Sequence, residues 1–233
     1  MSHRFYCESL RPHQTVQLGP AESHHLRQVM RAAVGDQVVL FDGTGTEATA
    51  RITEIGKRLV VLRVGPLHEV SREAARHVVL GVAPPRGNRD RFLLEKAVEL
   101  GVQRLVWLDS ERSVARPKPG ALDKYRRAVI EASKQCGRNQ LMPVDAMTLD
   151  DYWSSPELPP TRWVADPGAD MAPPGETRDS NLPIALAVGP EGGFTPAELE
   201  AARSAGWQSV SLGPRTLRVE TAAIALAAML LVE

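Results

Sequence analysis

The stretch that most limits the fold of this chain begins at His77. From there on, short unbroken apolar runs alternate with segments of helical character. The runs are "HVVLGVAP" (77–84), "RLVWLD" (104–109), "TRWVADP" (161–167), "PIALAVGP" (183–190) and "SVSLGP" (209–214). A strand covered on one face alternates apolar with polar; an unbroken run is covered on both. Between the runs, "RDRFLLEKAVELG" (89–101) and "ALDKYRRAVIEASKQCG" (121–137) carry helical periodicity and end in glycine. In "TPAELEAARSAG" (195–206), Thr195 caps a helix, Pro196 suits its first position and Glu198 completes a capping box. This alternation predicts an α/β domain built on a parallel sheet. "MAPPGETRDSNLP" (171–183) reads as a surface loop.

The first seventy or so residues have another rhythm. "QVVLFDGTG" (37–45), "EATARITEI" (47–55) and "RLVVLRVG" (58–65) are short β-rich runs with turn residues between them. One helical set interrupts, with Leu26, Val29 and Met30 on one face. A small β-barrel follows, and we place the boundary near residue 72, giving domains 1–72 and 73–233.

Composition excludes several classes. Of 233 residues, 43% are hydrophobic and 24% charged, as in ordinary globular proteins. The N-terminal "MSHRFYCESL" lacks an apolar signal core, and Ala222 to Val232 is too short to span a bilayer. Cys7 and Cys136 are too few for a disulfide framework. A cytoplasmic protein is therefore expected. The formal net charge is zero, yet residues 86–138 hold 13 Lys/Arg against 7 Asp/Glu, whereas residues 145–200 hold 2 against 11. A local basic surplus suits a polyanionic partner or a solvated face.

Two Gly-Pro corners stand out. "IALAV" leads into "GPEGGF" and "SVSL" into "GPRTLRVET". Both are carboxyl ends of strands that can be neighbours, where open α/β sheets bind ligands. Gly189, Gly192, Gly193 and Gly213 read as a backbone cradle. The pattern is neither a Walker A loop nor a dinucleotide turn. The residues themselves imply a small ligand held mainly by backbone.

"VGPEGGF", "LGPRTLRVETA", "EKAVELGV" (95–102) and "EASKQCGRNQ" (131–140), with "HRFYC" and "HHLRQVMRAAVGDQVVLFDGTG" (24–45), resemble the bacterial 16S ribosomal RNA uridine N3-methyltransferases. These are SPOUT-class, S-adenosylmethionine-dependent enzymes with an N-terminal PUA-like RNA-binding domain. The matches run in order along nearly the whole chain; "NQLMPVDA" is a local departure. The resemblance implies a homodimer, an active site near the subunit interface and a C-terminal trefoil knot. General fold rules argue against a knot. The all-apolar "AAIALAAMLLV" (222–232) then packs in the core or between subunits; both satisfy it.

The implied activity is methylation of N3 of a uridine in 16S rRNA, in the decoding region near the 3′ end. The substrate is rRNA in the small subunit or an assembly particle. The implied cofactor site comprises Val188, Gly189, Pro190, Glu191, Gly192, Gly193, Leu212, Gly213, Leu217, Arg218 and Thr221. Arg218, Glu220 and Glu191 are catalytic candidates without assigned roles, and no proton acceptor can be named. RNA candidates are Arg4, His24, Arg27, Arg31, Arg86, Arg112, Arg116, Arg138, Asn139 and Arg215. Arg86, Arg89 and Arg91 follow one strand; Arg112, Arg116 and Lys118 follow another. Arg112 and Arg116 are expected to serve RNA alone.

Blander roles stand beside these. Arg215 pairs with Glu220, or contacts phosphate or cofactor; Glu220 and Thr221 cap the last helix; Arg138 and Asn139 are solvated or reach substrate across a dimer. Cys136 suggests a covalent nucleophile, which methylation of a ring nitrogen does not need. His24 and His25 point apart, so no metal site is expected. A different class, a catalytically inactive ribosome-assembly factor, is separable by cofactor binding, and a third reading keeps the enzyme with another RNA target.

Overall fold

The computed structural model describes residues 3–57, 59–116, 120–173, 175 and 180–232. Two compact units emerge: Met1–Glu73 with Ile130–Leu141, and Ala74–Val129 with Met142–Glu233.

The first unit is a curled five-stranded sheet. Its strands are β1 (Arg4–Tyr6), β2 (Thr15–Gln17), β3 (Gln37–Phe41), β4 (Thr46–Ile55) and β5 (Val60–Glu69), in the order β1-β3-β4-β5-β2. β1 runs parallel to β3 and the other pairs are antiparallel. On β4, Ala48, Ala50 and Ile52 alternate inward. They meet Phe5, Leu40, Leu62 and Leu26 in one core. Register shifts between β4 and β5 mark bulges, which add twist and help the sheet curl. The helical segment opens as α1 (Pro20–His24) and continues as a π turn over His25–Val29. Three-residue β1 and β2 are too short to give a readable period.

Ile130–Leu141 is tied to this sheet by a polar network. Arg138 donates to Glu73 from Nε at 2.9 Å and from Nη2 at 2.5 Å. Arg4 reaches Glu47 at 2.9 Å and also pairs with Asn139. Arg72 donates to Glu47 at 3.0 Å, and Asn139 donates to the Val70 carbonyl at 2.9 Å. Gly43 takes a φ of 83°, and an added Cβ would come 2.7 Å from Leu141 Cγ, so that turn excludes any side chain.

The second unit is a six-stranded, wholly parallel sheet. In chain order come β6 (Val78–Val82), α2 (Arg89–Leu100), β7 (Arg104–Asp109), α3 (Ala121–Cys136), β8 (Val144–Thr148) and α4 (Leu149–Ser154). Then follow β9 (Thr161–Ala165), β10 (Ile184–Val188), α5 (Pro196–Ser204), β11 (Gln208–Val210) and α6 (Val219–Leu231). The division between units falls within α3. The sheet order is β11-β9-β10-β6-β7-β8. The strands of the two Gly-Pro corners, β10 and β11, are not neighbours, because β9 pairs with both.

Every residue of β10 is buried, as its unbroken apolar run requires. The capping box at α5 is formed: Thr195 Oγ1 accepts from the Glu198 amide at 3.2 Å, and Glu198 Oε2 accepts from the Thr195 amide at 2.7 Å. Gly101 ends α2 with a left-handed φ of 87°. Edge strand β8 and short α4 carry mixed patterns and escape sequence reading. α4 matters to the centre of the sheet all the same. Its Tyr152 lies against Gly81 of β6, where a Cβ would meet the ring at 2.5 Å. Burial pushes the Tyr152 phenol well up, and its hydroxyl donates to the Leu186 carbonyl at 2.9 Å.

α6 packs on α2, β6 and β10. Ala222, Ala223, Leu226, Ala227 and Leu230 are buried, whereas Ile224, Ala225, Ala228 and Leu231 are only partly covered. One face therefore lies in the core and another remains half open. Among the described residues, no helix is long and apolar enough to cross a membrane.

Candidate active site at the carboxyl ends of the strands

The first corner leaves β10 at Gly189. An added Cβ there would stand 3.1 Å from both the amide nitrogen and the ring of Phe194, so the chain turns back on itself tightly. Phe194 is buried and anchors that turn. The Gly193 amide donates to the Pro190 carbonyl at 2.8 Å, closing a tight turn with Glu191 and Gly192 exposed at its tip. Gly193 has a φ of 68°, left-handed space that glycine enters without penalty. The second corner follows β11: Leu212 is half-buried, Gly213 has a φ of 101°, and Arg218 is the N-cap of α6. No side chain caps that helix. Glu220 lies in its first turn without serving as the cap.

A residue that the sequence presents only as one of a basic run connects the two corners. Arg89 opens α2, just beyond β6. Its Nε donates to the Arg86 carbonyl at 3.0 Å and its Nη1 to Glu220 at 3.1 Å, while Nη2 stands 3.8 Å from Glu191. The Arg86 amide also donates to Glu191, at 3.1 Å. Glu220 is thus paired with Arg89, not with Arg215, which is exposed. Asp90 holds the same helix end. It accepts from the Tyr125 hydroxyl at 3.1 Å, and burial together with the Asp90 charge pushes that phenol up to about 12.

The loop after β7 joins the site as well. Arg112 donates to the Gly192 carbonyl at 2.8 Å, and the Glu111 amide donates to Glu198 at 2.8 Å. Arg112 is therefore not reserved for an outside partner. A Cβ on Gly192 would lie 3.4 Å from Arg112 Cδ, ordinary contact with a flexible side chain; the tight position is Gly189. Loops from β6, β7 and β10, which are consecutive in the sheet, and from β11 thus meet at the strand carboxyl ends, the usual ligand position in open parallel sheets.

The remaining sequence candidates separate by burial. Arg86, Arg116, Arg218 and Thr221 are exposed, Leu217 is half-buried, and Val188 and Pro190 are buried at the end of β10. In the first unit His24 and Arg31 are exposed, and Arg27 donates to the Lys57 carbonyl. Arg138 and Asn139 are 4% and 1% exposed, so neither is solvated. Arg138 pairs with Glu73, Asn139 with the Val70 carbonyl and Arg4, and the Arg4 Nη groups with Glu47 and Asn139, all within the first unit, where they hold 130–141 to the sheet. Nor is the basic surplus of 86–138 all available as positive field. Arg91 pairs with Glu95, Lys96 with Glu99, Arg104 with Asp145, Arg116 with Asp109 and Lys134 with Glu22. Lys118 lies outside the described residues.

Comparison with known proteins fits this architecture. A family model described as an RNA methyltransferase domain matches residues 72–231, and one described as an RNA methyltransferase PUA domain matches residues 18–65. A Synechocystis protein named ribosomal RNA small subunit methyltransferase E is 34% identical over 216 residues, covering 89% of this chain and 70% of that protein. Its Mycobacterium bovis namesake is 33% identical over 224 residues, covering 89% of this chain and 83% of its own. The Neisseria gonorrhoeae namesake, solved bound to S-adenosyl methionine, superposes with a TM-score of 0.87 at 32% identity, covering 98% of this chain and 96% of that one. By fold and site this is a PUA-bearing RNA methyltransferase architecture. The chain belongs to the ribosomal RNA small subunit methyltransferase E family.

Proposed function

We propose that this protein transfers the methyl group of S-adenosylmethionine to N3 of a uridine in 16S rRNA of the small ribosomal subunit, in the decoding region near the 3′ end. The observation that carries the reading is the union of the two Gly-Pro corners through Arg89. The corners fit a cofactor held by backbone. At Gly193 and Gly213 an added Cβ would meet nothing within 4 Å, so there is open space beside both turns. Gly189, Gly192, Gly193, Leu212, Gly213 and Leu217 would line it, with Val188 and Pro190 beneath and Glu191, Arg218 and Thr221 at its rim. When bound, S-adenosylmethionine supplies a methyl group on a positively charged sulfur.

The protein's own task is positioning and charge. N3 is a Watson–Crick edge atom, so the target uridine must be unpaired or flipped out. Arg218 and Arg215, both exposed at the second corner, would favour the anion that develops on the uracil. Domain 1–72 holds the RNA, with His24, Arg27 and Arg31 as contacts, and domain 73–233 performs the transfer with Arg86, Arg112 and Arg116 toward the RNA. A cytoplasmic homodimer completes the proposal. Its support is the half-open apolar face of α6 and Phe92, 48% exposed on the adjoining α2. The trefoil threading of the C-terminal region belongs to the same proposal, and the entry of β10 between β9 and β6 is compatible with it.

The test is mass-spectrometric mapping of methylated uridines in rRNA from a strain lacking the gene, with and without the gene restored. Loss and return of a single N3-methyluridine in 16S rRNA is the expected result. An unchanged 16S pattern refutes the proposal.

A further inference from the structure

Glu220 uses only one side of its carboxylate. Oε1 accepts from Arg89 Nη1 at 3.1 Å, whereas Oε2 is buried and has no hydrogen-bond partner among the described residues. The side chain is 9% exposed. Leaving such an oxygen without a donor destabilises the fold, more so when the group is charged. Native proteins seldom keep one unless something outside the chain completes it.

Arg89 decides which oxygen stays unpaired. Its three guanidinium nitrogens face the Arg86 carbonyl, Glu220 and Glu191, so the fork is held from three sides. β6 and β10, which also pack on α6, bring only apolar side chains and glycine. Among the described residues, Arg89 at the start of α2 is the cation that forms an ion pair with Glu220. The unpaired oxygen belongs to the first turn of α6, directly after the second corner.

We propose that Glu220 Oε2 accepts the proton displaced from the target base, with Arg89 as its positioning residue. The inference rests on the proposed function, in which uridine N3–H is the donor that must be lost. N3–H breaks and its electron pair forms the N3–CH₃ bond; the methyl–sulfur pair stays on sulfur; the proton goes to Oε2. One positive charge on sulfur and one negative charge on Glu220 disappear together, so no new charge is left in the site.

The test uses the full chain and small subunits from a strain lacking the gene. E220Q keeps the shape and an acceptor for Arg89 but removes the base. Calorimetry is expected to give an S-adenosylmethionine affinity within about twofold of wild type. The single-turnover rate at saturating cofactor falls about 10²- to 10⁴-fold. The residual rate rises about tenfold per pH unit, because solvent hydroxide then takes the proton. E220D, which keeps a carboxylate, loses less rate and lacks that steep rise. R89K lowers the rate alone but adds little on the E220Q background, as residues acting through one another do. Two results overturn the inference alone: E220Q within about threefold of the wild-type rate at saturating cofactor, or wild-type rate at saturation with affinity down more than about tenfold, which assigns Oε2 to the cofactor. A wild-type protein that methylates an atom other than uridine N3 overturns the proposed function and this inference together.

Discussion

Arg112 donates from Nη1 to the carbonyl oxygen of Gly192 at 2.8 Å, so a candidate RNA contact and the loop proposed to hold the cofactor are mechanically one unit. Arg112→Ala is accordingly expected to act on both ligands. Loss of one charge-assisted hydrogen bond is worth about 1.5–3 kcal/mol where it is fully used. For this exposed donor a several-fold weakening of S-adenosylmethionine binding is expected. RNA affinity falls too, with the slope of log affinity against log salt flattened by roughly 0.7 to 0.9. Calorimetry and filter binding at several salt concentrations read both. Cofactor affinity identical to wild type would detach Arg112 from the loop.

Gly189 should be the most sensitive glycine of the first corner. A methyl there would press on the Phe194 amide nitrogen at 3.1 Å, backbone that cannot swing away, and on the ring beside it. Gly189→Ala is expected to displace the turn and abolish measurable cofactor binding while the circular dichroism spectrum stays that of a folded chain. Gly192→Ala meets only Arg112 and should lose far less. Equal cofactor affinities for the two variants would show that the tight approach at Gly189 is irrelevant.

Acid should weaken the first unit through Glu47. Burial raises its pKa, but hydrogen bonds from Arg72 and Arg4, with Asn139, outweigh that and hold it down to about 2 against an ordinary 4.5. A carboxyl depressed in the folded state stabilises fully above its unfolded pKa. That contribution, roughly 3 kcal/mol at most and reduced by solvent screening at this partly exposed carboxylate, is lost as pH falls from about 4.5 through about 2. Thermal unfolding of wild type and Glu47→Gln should differ at neutral pH and converge as pH drops through this window. A gap independent of pH would exclude the linkage.

Arg138 and Arg31 should separate structural from RNA-facing arginines. Arg138 and Glu73 form an ion pair with side chains 4% and 15% exposed. Breaking one partner of such a pair costs about 3–5 kcal/mol. Arg138→Ala should therefore lower the unfolding temperature markedly. Arg31 is exposed and sits at a φ of 52°, a conformation glycine adopts freely. Arg31→Gly should leave stability unchanged or slightly raised and reduce RNA affinity in a salt-dependent way. Unaltered RNA binding would remove Arg31 from the interface.

The unbroken apolar strands, the Thr195–Glu198 capping box, the glycine ending α2 and the two Gly-Pro corners could all be read along the chain. Each is a local matter: burial on both faces needs a continuous apolar run, a cap needs its residues three apart, and a left-handed turn needs glycine. Of these, the two corners and the segment around Gly101 also carried part of the resemblance to rRNA methyltransferases.

Three features were decided only in three dimensions. β9 separates β10 from β11, because strand order depends on how the chain crosses over the sheet and leaves no mark on the strands themselves. Arg138 is buried because Glu73, 65 residues away, neutralises it; an arginine's local sequence looks the same with or without a distant carboxylate. Arg89 joins Glu191 and Glu220 from the start of α2 for the same reason. Periodicity and turn chemistry act between near neighbours, whereas charge pairing acts through space, so the sequence determined the elements and the corners and the tertiary structure alone decided which side chains meet between them.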